Sequence, residues 1–215
     1  VGPENTDGLI IAAPLHSSSR SAYVQGLMAS GFPVIFIGSG EKGPSIIANN
    51  RRGILDALQH LKGHGHQRIA FIAGSLEDME GDTGDRLRAY QSGCELYGLT
   101  QDHSLVAYGR HVYSGGYLAM QEFLEKGVEF SAVLASNDES ALGAMKALEE
   151  AGRKIPEDVA IIGFDNRLEG AVNEPGLSSI HVPLFSMGYH AVERLLRSIH
   201  GSAKLEQQTY VETRL

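Results

Sequence analysis

Two rhythms of apolar and polar residues alternate along this chain. Short apolar runs stand at "GLIIAAP" (8–14), "PVIFIG" (33–38), "SIIA" (45–48), "RIAFIAG" (68–74), "SLVAYG" (104–109), "SAVLAS" (131–136), "VAII" (159–162), "LSSIHV" (177–182) and "QTYVE" (208–212). Each predicts a strand. Between them apolar residues recur every three or four positions, as helices do. Such stretches cover 17–30, closed by Gly31; a run from Asn50 with Ile54, Leu55, Leu58 and Leu61 on one face; and Leu87 to Leu96, ending at Gly98. Others run from Tyr117 to Leu124, from Asp138 to Ala151 before Gly152, and from Phe185 to Ile199.

Strands spaced by helices of this length predict right-handed βαβ crossovers and parallel sheets. So many strands are too many for one sheet of this kind. The pattern predicts an α/β chain of two doubly wound parallel-sheet lobes, with strand-end polar residues lining a cleft between them. A lobe built from residues 1–64 alone would have few strands and open edges. The N-terminal lobe is therefore expected to be incomplete, its first βαβ unit lying ahead of Val1.

Composition narrows the chemistry. Of 215 residues, 42% are hydrophobic and 20% charged, enough for a real core. The formal net charge of −8 offers no general basic face to nucleic acid or anionic lipid. A single cysteine, Cys94, excludes an internal disulfide. No apolar run approaches the roughly 18 residues of a membrane span, and no signal peptide is visible.

Candidate chemistry gathers at strand ends. In "VAIIGFDN" (159–166) a buried strand runs to Gly163, where a turn is expected, and Phe164, Asp165 and Asn166 fall beyond it. That edge of an open α/β sheet is where ligands bind. The competing reading makes Asp165 the cap of a following turn or short helix. "LASNDESALGAMKAL" (134–148) repeats the pattern: Asn137 or Asp138 caps the next helix, and Asn137 offers both a donor and an acceptor. Arg86, expected at the start of its helix, opposes the helix dipole there, so it needs a partner. An ion pair to Asp82 or Asp85 is one choice and a ligand the other. His64 and His66 form a His-x-His pair four residues after His60, but no third ligand is evident and no metal site is expected. Dinucleotide, P-loop, HExxH and nucleophile-elbow fingerprints are missing, so neither an enzyme nor a cofactor is supported.

Several strings occur together and in order: "GHGHQRIAFIAG", "DRLRAY" followed by "YGL", "ASNDESALGAMKAL", "IPEDVAIIGFDN" and "GLSSIHVPLFSMGYHAVERLL". Over residues 7–215 this chain resembles the effector-binding core of lactose-repressor-type (LacI/GalR) bacterial transcriptional regulators. The resemblance implies a type I periplasmic-binding-protein fold, two lobes joined by three crossing strands. It places an N-terminal lobe at 1–64 plus 183–208 and a C-terminal lobe at 65–182 plus 209–215, with the DNA-binding head absent. Motif by motif it implies that Arg86, Asn137 and Asp165 contact the effector. His111 would pack on that effector as an aromatic, with Phe164 beside Asp165 and Ala12 on the cleft's other wall. A sugar or related polyol would close the cleft and change DNA binding through a helix-turn-helix head. The same resemblance implies a cytoplasmic homodimer, paired through the 138–151 helix with Ala141, Leu142 and Met145 unless those residues pack on the sheet instead. Asn49, Ala89 and Val182 depart from the common Asp, Gly and Gln, so no relative's effector transfers directly. A periplasmic solute-binding protein, or the input domain of another signalling protein, shares the fold and stays open at this point.

Overall fold

The computed structural model describes residues 1–167, 173–201, 205 and 207–215. Among the described residues nine strands form two sheets, every ladder within them parallel, and the chain divides into two compact units. The two-lobed parallel α/β expectation holds.

The first unit takes Val1–Asn49, Glu77–Asp82 and Pro183–Glu212. Its sheet runs β1 (Leu9–Ala12), β2 (Val34–Ile37), β3 (Ser45–Ala48) and β9 (Gln208–Val211), in that order. Helix α1 (Ser18–Ala29) begins where the Ser17 hydroxyl accepts from Arg20 N, and it packs Val24 against Val34 and Phe36. Helix α6 (Leu184–Ile199) covers β1, β2 and β3 with Met187, Ala191 and Leu195, spaced every four residues and all buried.

The second unit takes Asn50–Leu76, Thr83–Val182 and Thr213–Leu215. Its sheet is ordered β5 (Val106–Tyr108), β4 (Ile69–Ala73), β6 (Ala132–Ala135), β7 (Ala160–Asp165) and β8 (Ser178–His181). Every residue of β4 and β6 is buried, as the unbroken apolar runs require of central parallel strands. The helices are α2 (Asn50–Gly63), α3 (Asp82–Tyr97), α4 (Tyr113–Glu125) and α5 (Asp138–Glu150). Gly98 and Gly152 follow α3 and α5 at φ 64° and 71°, the left-handed turn that ends a helix. Helices α4 and α5 touch backbone to backbone. A Cβ on Gly116 would stand 2.1 Å from the Ser140 carbonyl, and one on Gly143 2.0 Å from that of Tyr113.

Four expectations differ from what is observed. The boundaries expected at 64 and 208 fall elsewhere, because α2 packs with the second unit and β9 pairs with β3 from Ser45↔Gln208 to Ala48↔Val211. Helix α3 starts at Asp82, so Arg86 sits in its second turn rather than at its start. Strand β7 continues through Asp165, with Gly163 paired to Ser179 in the ladder, so Gly163 makes no turn. Any turn that Asp165 would cap runs into 168–172, outside the described residues. Finally, Ala141 and Met145 are buried in the unit's own core, 0% and 5% exposed, which leaves Leu142 as the partly exposed member of that trio.

Candidate functional site

In the second unit β4 and β6 are neighbours, and the crossover leaving β4 runs to β5 on one side while that leaving β6 runs to β7 on the other. A crevice opens at such a switch point, beyond the carboxyl ends of the strands. Arg86 follows β4, His111 follows β5, Asn137 follows β6, and Phe164 and Asp165 close β7. One sheet edge carries all five.

Arg86 is the centre of the group. Its side chain is 8% exposed, and its guanidinium carbon lies 3.8 Å from the centre of the Phe164 ring. Its Nε donates to Asn50 Oδ1 at 2.8 Å and its Nη1 donates to the Ser136 carbonyl. Nη1 stands 3.7 Å from Asp165 Oδ1, an ion pair longer than a hydrogen bond. The guanidinium is thus held from three sides, and neither Asp82 nor Asp85 is its partner: Ser39 Oγ donates to Asp82, and Arg88 pairs with Asp85. Phe164 is fully buried, and its ring supports the Arg86 guanidinium.

The Asp165 carboxylate is 25% exposed, the more accessible end of that pair. Its backbone lies at φ 103° and that of Asn166 at 57°, conformations that L-residues adopt only under constraint. Such strain costs on the order of 1–3 kcal/mol a residue and collects at functional sites. Arg110 and His111, at φ 56° and 58°, share it at the same sheet edge. Beside this turn Asp138, 1% exposed, accepts from Ser179 Oγ at 2.5 Å and Arg167 N at 2.6 Å. Burial pushes its carboxyl above the usual carboxylate range, and these hydrogen bonds pull it back. Gly163 makes room for it, since a Cβ there would meet Asp138 Oδ1 at 2.2 Å.

His111 is wedged between two hydroxyls. Nε2 is 2.8 Å from Thr83 Oγ1 and Nδ1 is 3.5 Å from Ser136 Oγ, with Gly74 leaving the space. A Cβ on Gly74 would reach His111 Nε2 at 2.0 Å and Thr83 Oγ1 at 2.4 Å. Gly74→Ala is therefore expected to expel the imidazole and shift its side-chain NMR resonances, while Gly26→Ala, with nothing within 4 Å, leaves them in place. Asn137 is more structural than its amide suggested. Oδ1 accepts from Ser140 N at 3.0 Å as the α5 cap, and Nδ2 donates to the His111 carbonyl at 3.0 Å. One N–H and one lone pair remain for a ligand.

The remaining candidates lie apart from this cluster in the sequence of elements. Ala12 closes β1 in the first unit and is exposed. Asn49, in the same unit, donates from Nδ2 to Glu212 at 3.2 Å. The His60 and His64 rings lie 4.6 Å apart, and His66 Nδ1 is 2.9 Å from Ser131 Oγ. Burial, followed by the neighbouring His64 and His60, lowers the His66 pKa. Among the described residues no three side chains gather as metal ligands, and no helix is long and apolar enough to cross a membrane. Sequence reasoning missed Asn50, Thr83, Asp138 as a turn anchor, and Ser179. Only the strand-end position of Ser136 and Gly74 gave any local signal.

A family model described as a periplasmic binding protein-like domain matches residues 58–215. The transcriptional regulator AscG of Escherichia coli is 34% identical over 157 residues, which is 73% of this chain and 46% of AscG. CelR of Thermobifida fusca, another helix-turn-helix-type regulator, is 31% identical over 99% of this chain and 62% of its own length. Among solved structures, a CelR–cellobiose complex superposes with a TM-score of 0.89 at 30% identity, over 99% of this chain and 65% of that one. A lac repressor dimer bound to operator and an anti-inducer gives 0.87 at 25% identity, covering 98% and 72%. This chain thus spans about half to two-thirds of the curated relatives it matches.

Proposed function

This chain belongs to the periplasmic binding protein-like domain family, in the form carried by LacI/GalR-type regulators, and from that premise we propose that it is a sugar-sensing effector core. One observation carries the reading: a buried Arg86, held on Asn50 and Phe164, faces a more exposed Asp165 across 3.7 Å at the sheet's switch point. Carboxylate and guanidinium are complementary to hydroxyls, one accepting and the other donating in a planar fork. Asn137 adds a donor and an acceptor, and His111 an apolar ring face. Each charge partly neutralises the other when no ligand is present, so both tolerate their burial.

Occupancy stabilises whichever conformation binds the sugar better, and this differential affinity is the signal. In the whole protein that signal passes to a helix-turn-helix head on DNA, in the cytoplasm, within a homodimer. The named relatives are regulators rather than transport proteins, and one is seen with cellobiose. Leu142 on α5 and the exposed Leu118 on α4 offer apolar surface to a second copy. No chemistry is performed on the ligand. Calorimetry with cellobiose and a panel of mono- and disaccharides tests the reading: at least one sugar binds with a single-site isotherm and is recovered unchanged. Binding by none, or steady product formation, would refute it.

A further inference from the structure

Asp165 must present its carboxylate to Arg86 from a backbone that few L-residues adopt, and something has to hold it there. The two amides that follow it supply the restraint. Two residues on, Arg167 N donates to the Asp138 carboxylate at 2.6 Å. Next to Asp165, Asn166 N donates to Ser179 Oγ at 2.9 Å, and that hydroxyl donates to Asp138 Oδ1 at 2.5 Å. Asp138 is 1% exposed at the first turn of α5, and Ser179 stands on β8, paired with Gly163. The clamp thus ties α5, β7 and β8 together around one residue. Gly163 is part of it, since a side chain there would displace Asp138 Oδ1.

We propose that Asp138 and Ser179 are positioning residues that hold Asp165 in its ligand-facing conformation, a role that rests on the effector reading above. Neither needs to touch the ligand. Asp138 accepts directly from the Arg167 amide, and Ser179 links the Asn166 amide to the same carboxylate. Left without them, the strained turn would relax toward ordinary extended backbone and swing the carboxylate from Arg86. Preorganisation of this kind raises affinity by lowering the ordering required on binding.

The test uses Ser179→Ala and Ser179→Thr, because Ser179 is only half-buried and both variants suit a strand. Amide hydrogen exchange at Asn166 and Arg167 is measured by NMR, together with the Asp165 side-chain carboxyl resonance and cellobiose affinity. Ser179→Ala is expected to speed exchange at both amides by about tenfold and to move the Asp165 resonance. It should weaken cellobiose binding by roughly fivefold, and Ser179→Thr should restore all three. A merely structural serine would not be rescued at the Asp165 carboxyl by a hydroxyl alone. Asp138→Asn, which keeps the volume and loses one acceptor, is expected to match Ser179→Ala. Unchanged exchange, an unmoved Asp165 resonance, or parental affinity in Ser179→Ala overturns the proposal. If the parent binds no cellobiose, exchange and the carboxyl resonance still decide it, whereas the sugar panel alone decides the effector reading.

Discussion

Asp165→Ala is expected to bind the cognate sugar roughly thirtyfold or more weakly than the parent, with its melting temperature little changed. Removing one member of a ligand-paired charge typically costs on the order of 2–5 kcal/mol, much of it from stranding the other. The fold survives because Arg86 keeps the Asn50 oxygen and the Ser136 carbonyl as acceptors. Arg86→Lys makes the complementary point. It keeps the charge and loses the fork that serves both acceptors, so it should weaken binding and also lower stability. Calorimetry and thermal denaturation separate the two effects. Equal affinity in Asp165→Ala and Arg86→Lys would show that the ligand sits elsewhere.

The largest effect on stability is expected at a glycine remote from that chemistry. Gly143→Ala places a methyl 2.0 Å from the Tyr113 carbonyl, a backbone atom that cannot rotate away, so α4 and α5 must separate. Overpacking against backbone lies at the upper end of its usual range, about 3 kcal/mol. For a chain of this size that corresponds to a fall in melting temperature of about 6–12 °C. Gly26→Ala in α1 has open space around it and is expected to raise stability by roughly 0.5–1 kcal/mol, as the helix loses a flexible residue. A Gly143→Ala protein that melts like the parent would show that the two helices are less closely packed than their geometry requires.

Much of the fold was legible because its signals are local. Unbroken apolar runs such as Ile69–Ala73 and Ala132–Ala135 became central strands, and Gly98 and Gly152 ended helices as their positions suggested. The expected division of the lobes came from the family resemblance, which ended the first lobe at 208. Strand β9 joins β3 through backbone pairing across more than 160 residues, which no local pattern records. The same limit applied to the site. Arg86 and Asp165 stood out because charges at strand ends and helix starts are conspicuous. Thr83, Asn50 and Ser179 are ordinary polar residues in sequence, and they acquire a role only when folding brings them to His111, Arg86 and Asn166. Gly163 was read as a turn because glycine usually marks one, whereas its lack of a side chain makes room for Asp138.

The most direct measurement follows three side chains during one titration. NMR of the protein with increasing sugar can observe the Arg86 Nε–H, the Asn137 side-chain amide and the Asp165 carboxyl carbon at once. All three should shift along a single binding curve with the dissociation constant found by calorimetry, while the His60 and His64 rings stay still. Saturation of sugar binding with these three signals unmoved would contradict the site.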